Sequence, residues 1–475
     1  MLPQVALCTD INFVRLTDNQ LIALFTDLLG VDNVVLFDRL IPNLHQRIVN
    51  SLTPDSLSPA CVLYPQTIAE LSKVIALTSE NRLRVLPCGN ATKLDWGGLV
   101  SRADVVISIS KFNRVIEHCV GDLTVTVEAG VKYQDLQTVL AKAGQFLAIN
   151  PPYRANATIG GILATASAGS LRHRYNSVRD MCLGIEFVRA DGEVVKAGGR
   201  VVKNVAGYDL MKLLTGSYGT LGIVSRVTFR LYPLPEYTQI VVVTGTAETI
   251  AQAQQKIGAS VLTPTACDLL SATMIADLGL GQGIGLVLQF ASLKASVIEQ
   301  CDRIAVLAKE LNLEVQMLGT AEEFWELLEM MIWQDELRNS DQSEDGASMV
   351  CKLGILPSTS VSFLQECEQI FDEQSYYLQI HAGSGLGVLR LEDVQDLGEI
   401  ALQIAKVRSI ADSCGGFLSI LEAPQALKFG NGTLGNNSSN LENVWGYRGN
   451  ARDLMVKIQQ QFDPRGLLSC DRLYS

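Results

Sequence analysis

The sequence predicts an α+β fold in more than one domain, and three observations carry that reading. Strand-like runs and amphipathic helices alternate along the whole chain. Several of the strand runs are joined by tight turns, as antiparallel hairpins are. The texture then changes after Pro233 and Pro235, where the pattern is broken by two prolines with one residue between them. A length of 475 residues fits two or three domains.

The elements follow in order. Residues 20–30 have helical periodicity and end at Gly30, a favourable stop. Residues 59–87 read as a short strand, a helix starting near Thr67, and a strand over 83–86; Thr67 with Glu70 predicts a capping box. Residues 103–110 are a β run. The segments 114–119 and 123–130 predict a hairpin turning at Gly121-Asp122. A helix over 131–144 is closed by Gly144. Residues 181–199 predict a second hairpin, with Asp191-Gly192 as its turn. Residues 201–235 run from a loop through a short helix into a strong strand. Beyond 236, strands at 237–245 and 283–291 and helices near 247–258 and 295–311 predict a smaller α+β unit. The polar stretches 339–347 and 429–441 are loops, and a last helix covers 449–461.

Hydrophobic residues make up 48% of the chain and charged residues 19%, the balance of a packed globular protein. The formal net charge of -12 argues against a nucleic-acid partner, since a broadly acidic surface repels phosphates. The 11 cysteines are scattered singly with no C-x-x-C, which supports neither an iron–sulfur cluster nor a zinc ribbon and predicts reduced thiols. No basic, apolar leader opens the sequence and no run of apolar residues is long enough for a membrane span. The expectation is a cytoplasmic protein, free or associated with a membrane through partners.

Three segments are too rich in small residues for ordinary packing. Residues 87–98 (PCGNATKLDWGG) follow a strand but lack the G-K-[ST] of a nucleotide P-loop. Taken alone, this is either a nest of backbone N–H groups around an anion or a surface turn. Residues 158–168 (TIGGILATASA) leave space that a bulky planar ligand would fill. Residues 216–222 (GSYGTLG) lead into a strand, so they do not meet the dinucleotide fingerprint, which opens a helix. Ala91 stands where glycine is expected. If its φ is positive, the methyl costs about 1 kcal/mol.

Together, PACVLYPQTIAEL, PCGNATKLDWGG, ATIGGILATASAG and the run from RYNSVRDMCLGIEF to LLTGSYGTLGIV resemble the PCMH-type FAD-binding domain of the vanillyl-alcohol-oxidase-like flavoproteins. Within that superfamily they resemble glycolate oxidase FAD-binding subunits of the E type. The resemblance is strong over about 58–235 and weak over 236–440, and FDPRGLLS resembles the family's closing segment. It implies an FAD-binding domain of two α+β subdomains over 1–235, an inserted α+β cap over 236–440, and a return to the FAD domain over 441–475. Carried over position by position, Cys88, Gly89, Asn90, Ala91 and Thr92 would meet the diphosphate. Thr158, Gly160 and Gly161 belong to the second FAD segment, Gly222 and Ile223 to the strand beside the adenine, and Pro152 is a further cofactor-binding position. No His stands in 87–98, so noncovalent FAD is expected.

Departures concern the chemistry. Tyr218 stands where related dehydrogenases carry Glu. Their metal-binding H-x-G-D-G-N-x-H corresponds here to HAGSGLGV, which keeps His381, Gly383 and Gly385 but has Ser384, Leu386 and Val388. With only 4 histidines in the chain, no metal is expected. No catalytic residue is assigned. Arg154, Arg172, Arg174 and Arg179 would suit a carboxylate or the diphosphate, or else a solvated or docking surface. Lys203 and Tyr208 would face the flavin or brace their loop. The resemblance implies oxidation of glycolate or a related 2-hydroxy acid, with electrons leaving through a second flavin subunit and an iron–sulfur subunit. A stand-alone dehydrogenase and a non-catalytic flavin-binding subunit are the alternatives.

Overall fold

The computed structural model describes residues 16–199, 207–319, 321–333, 347–372, 375–429, 444–447 and 449–473. The expected loops 339–347 and 429–441 fall largely, and Lys203 wholly, outside the described residues.

The first helix, Asp18–Leu29, is capped by Thr17 and stops at Gly30, whose φ of 82° suits glycine. A mixed four-stranded sheet follows, in the order Val34–Leu36, Cys61–Leu63, Val105–Ser108, Val85–Cys88. Its last three strands are parallel neighbours. The helix Ile68–Glu80 crosses between two of them. The Thr67 hydroxyl accepts from the Glu70 N–H. The predicted capping box is only half formed, because the Glu70 carboxylate takes the Gln66 N–H, 2.7 Å away, instead of that of Thr67. Residues Leu467 and Ser469 hydrogen-bond to Val85 on the other side of its strand, at 2.8 and 2.9 Å. The strand leading into residues 88–92 is therefore held from both sides.

A five-stranded antiparallel sheet comes next, in the order Val115–Cys119, Thr124–Glu128, Ile223–Arg230, Cys182–Val188, Val194–Gly198. Both predicted hairpins are its edges. One apolar cluster fills the space between these two sheets and their helices.

The unit beyond residue 236 is built on one sheet. It contains an eight-stranded sheet, the largest among the described residues, running Glu314–Leu318, Tyr237–Gly245, Ile284–Ser292, Ala266–Leu270, Tyr376–His381, Leu386–Leu391, Met349–Gly354, Phe417–Glu422. Strand periodicity sorts its residues by face. Val241, Val243, Leu286, Leu288 and Phe290 pack under four helices, whereas Ile240, Val242 and Val287 face the helix Ala321–Ile332. On this second face, four polar side chains replace apolar ones on neighbouring strands: Asp268, Gln379, His381 and Lys352. Asp268 is the cross-strand partner of His381, and Gln379 and Lys352 both pair with Val388. No described helix is long and apolar enough to cross a membrane.

Candidate functional site

The three small-residue segments meet around one cavity of about 720 Å³. Its walls are Pro87–Leu94, Thr158–Thr165 and Ser217–Val224, closed by Ile109 and Arg472. Of the sequence-derived site residues, Cys88, Gly89, Asn90, Ala91, Thr92, Thr158, Gly160, Gly161, Gly222 and Ile223 all line it. Pro152 does not. It belongs to the turn after Asn150 and lines two neighbouring cavities with Trp333, His381 and Val388 of the large sheet's side.

Close approach of the walls explains the glycines. A Cβ on Gly89 would lie 2.2 Å from the Thr158 hydroxyl, and one on Gly222 would lie 2.7 Å from the Phe187 ring. Ala91 has the positive φ that favours glycine, 59°. Its methyl is buried in an apolar cluster with Leu86, Leu94, Val100 and Val106.

The two loops differ in what they offer a ligand. Gly160 N–H donates to Ala129 O at 2.7 Å and Gly161 N–H to the Thr158 hydroxyl at 3.3 Å, so this wall presents bare Cα surface. By contrast, no hydrogen bond among the described residues uses the N–H groups of Gly89, Asn90, Ala91 or Thr92. Four consecutive free donors beside a cavity form a nest suited to an anionic group. Two cations reach the same cavity. Arg472 donates to Leu94 O and Trp96 O at 2.5 and 2.7 Å, while the Lys93 ammonium is buried with no hydrogen-bond partner among the described residues. These features fit an elongated cofactor with a diphosphate. The Cys88 thiol in the wall is pushed up to about 12 by burial and stays protonated.

Next to this cavity lies a chamber of about 500 Å³, sharing Thr165 with it. Its charged or titratable lining side chains are Arg172, Lys352 and His381, and no carboxylate lines it. Trp96 and Trp333 are stacked at 5.0 Å in its wall. Behind His381, Asp268 is fully buried, with Oδ1 2.7 Å from His381 Nδ1 and Oδ2 accepting from Gln379 Nε2 at 2.8 Å. Burial lowers Lys352, and the nearby Arg172 lowers it further. A further cavity of about 550 Å³ continues past His381 toward Arg154, whose guanidinium is engaged by Glu326 and Glu329. Beneath Trp96, the Glu422 carboxylate accepts from Trp96 Nε1 at 2.6 Å and the Tyr153 hydroxyl at 2.7 Å.

The arginine segment divides accordingly. Arg172 faces the chamber, Arg154 is spent in ion pairs, and Arg174 and Arg179 are exposed and line none of these cavities. Tyr208 is 89% exposed, which does not fit a side chain packed on a buried ligand. His173 lies against Gly383, and burial lowers its pKa. Sequence reasoning passed over Asp268 and Lys352, although each is a lone charge in an apolar strand, ACDLL and VCKLG. Nothing in the sequence marks the Lys93 ammonium as lacking a hydrogen-bond partner. Among the described residues, no three His, Cys, Asp or Glu side chains converge as metal ligands, and ten cysteines are free thiols.

Comparison with known proteins covers two of these walls, Pro87–Leu94 and Thr158–Thr165. Residues 59–198 match the FAD binding domain family. The chain is 29% identical over 303 residues to the mitochondrial D-lactate dehydrogenase (cytochrome) of Arabidopsis thaliana, covering 61% of this chain and 53% of the relative. It is 32% identical over 217 residues to the glycolate oxidase subunit GlcD of Bacillus subtilis, covering 46% and 44%. The chain thus spans about half the length of these curated relatives. In three dimensions, p-cresol methylhydroxylase superposes with a TM-score of 0.72 at 16% identity, covering 96% of both chains. That likeness establishes the PCMH-type fold. FAD is the cofactor of this domain.

Proposed function

We propose that this chain, whose residues 59–198 are an FAD binding domain, is an FAD-dependent oxidoreductase acting on the CH–OH group of a small 2-hydroxy acid. In this reading it is an E-type FAD-bearing subunit of a glycolate-oxidase-like complex. Residues 1–235 and 441–475 hold FAD, and 236–440 cover the substrate. The observation that carries the proposal is the chamber beside the cofactor cavity, lined by Arg172 and Lys352 and by no carboxylate. In a chain of net charge -12, two cations left facing one small space suit a carboxylate substrate. The D-lactate dehydrogenase and glycolate oxidase relatives point to the same substrate class.

FAD, when bound, supplies the acceptor for two electrons. The chain's own residues do the rest. Arg172 and Lys352 hold the carboxylate. Asp268 fixes the tautomer of His381 by accepting from Nδ1, which leaves Nε2 to take the hydroxyl proton as the carbon is oxidised. The stacked Trp96 and Trp333 keep water from the chamber. The Cys88 thiol is protonated and a poor nucleophile, which supports noncovalent FAD. Electrons leave to a second flavin subunit and an iron–sulfur subunit.

Anaerobic titration of the purified, FAD-loaded protein with glycolate and D-lactate tests this. Bleaching of the flavin absorbance is expected. A chain that takes up no FAD refutes the cofactor site. A chain that keeps its colour with every 2-hydroxy acid favours a second reading, a flavin-holding subunit without its own substrate, to which the apolar Leu386 and Val388 in the chamber wall lend support.

A further inference from the structure

We infer that Lys93 is the cation set against the electron-accepting ring of FAD, where it favours the reduced over the oxidised cofactor. The inference rests on the reading that FAD lies in the main cavity with its ring toward the chamber.

Lys93 is 6% exposed, and its ammonium is buried without a hydrogen-bond partner. It lines the cofactor cavity. The other buried lysine in the neighbourhood, Lys428, is differently placed, since its ammonium donates to Asp95 O and Leu421 O at 2.5 and 2.7 Å. An ammonium removed from water with no hydrogen-bond acceptor is strongly disfavoured. The fold holds it there with an open valence toward the cavity, and a negative charge arriving beside it is strongly favoured.

Position selects the ring over the diphosphate. The free N–H groups of Gly89, Asn90, Ala91 and Thr92 already form the anion nest, and Lys93 follows them toward the chamber. Its ammonium lies 5.7 Å from the centre of the Trp96 ring, and Trp96 is part of the chamber wall. The substrate carbon must meet the ring at that junction. Burial, aided by Arg47 and opposed by Glu329 and Glu422, lowers Lys93 to about 7. Two-electron reduction adds negative charge to the ring, so a charged Lys93 binds the reduced cofactor more tightly than the oxidised one.

The test is the midpoint potential of bound FAD, measured by equilibration with a reference dye, together with the Kd for oxidised FAD, in wild type, K93M and K93R. K93M removes an unpaired buried charge at similar volume, and is expected to fold. Its Kd for oxidised FAD should stay within about threefold, while its preference for reduced FAD falls about tenfold, a drop in potential of about 30 mV for two electrons. K93R should keep most of that preference. An unchanged potential in K93M overturns the inference. So does a large loss of oxidised-FAD affinity at constant potential, which would make Lys93 a diphosphate contact. Failure of the wild type to bind FAD refutes the cofactor site itself and is seen separately.

Discussion

Asp268 and His381 face each other across adjacent antiparallel strands, with Oδ1 and Nδ1 2.7 Å apart and the carboxylate fully buried. Cross-strand register places the two side chains on one face. Gln379 holds the second carboxylate oxygen, so the acid has no freedom to turn away. The imidazole is thereby presented to the chamber with one nitrogen fixed and the other available.

This arrangement predicts that H381N lowers kcat by about 10²–10⁴-fold, the usual worth of a general base. D268N keeps the shape but offers an amide where the carboxylate accepted a hydrogen bond from Nδ1. It should lose a comparable factor, because the imidazole no longer has its tautomer enforced. Steady-state kinetics with an artificial electron acceptor reads both, and the flavin spectrum should be unaltered. Wild-type kcat in D268N would remove His381 from the chemistry.

Arg172 and Lys352 predict a charge-specific effect. K352M or R172Q should raise KM for a 2-hydroxy acid by about 10–100-fold, since a hydrogen bond to a charged group is worth roughly 1.5–3 kcal/mol. An uncharged alcohol of similar size should be no worse a substrate in the variants than in wild type. Equal losses for acid and alcohol would mean that the variants disturb the chamber rather than the carboxylate.

Lys93 also predicts a pH dependence. Its pKa without cofactor is lowered to about 7, below that of an unfolded lysine. Between about pH 7 and 10 the unfolded chain therefore binds more protons than the folded one, and stability contributed by this group rises with pH across that window. Below the folded pKa the penalty is fully present. Urea denaturation of the FAD-free protein should show a steeper gain between pH 7 and 9.5 in wild type than in K93M. Identical pH profiles would show that the ammonium is not desolvated as described. Lys428, lowered to about 8, contributes equally to both proteins and cancels in the comparison.

At Ala91 two terms oppose. The left-handed φ of 59° costs an alanine about 1 kcal/mol relative to glycine. Burial of its methyl returns about 0.8 kcal/mol. A91G should thus change the denaturation midpoint very little, within about 0.5 kcal/mol of stability. A gain well beyond 1 kcal/mol would mean that the methyl contributes nothing to the cluster around Leu94.

The cofactor cavity was legible in the sequence because small residues leave a visible mark. PCGNATKLDWGG, TIGGILATASA and GSYGTLG stand out from any packed helix or strand, and all three line one cavity. Hairpins at Gly121-Asp122 and Asp191-Gly192 were legible for a similar local reason. What lay outside reach was pairing between distant strands. Nothing near Asp268 announces His381, which sheet register sets beside it, and nothing near Lys352 announces Arg172, which reaches the chamber from the short helix Arg172–Tyr175. The half-made cap at Thr67 shows the same limit on a smaller scale: Glu70 had two N–H groups within reach, and the sequence pattern does not choose between them.

The cofactor cavity takes one wall from residues 87–94 and another from Arg472, while Leu467 and Ser469 brace the strand from which the first wall springs. A growing chain cannot close this cavity until Arg472 has left the ribosome. The loop with its free N–H groups must wait while the whole eight-stranded sheet is made. Capture of FAD in the complete cavity is accordingly a late event in the life of each molecule.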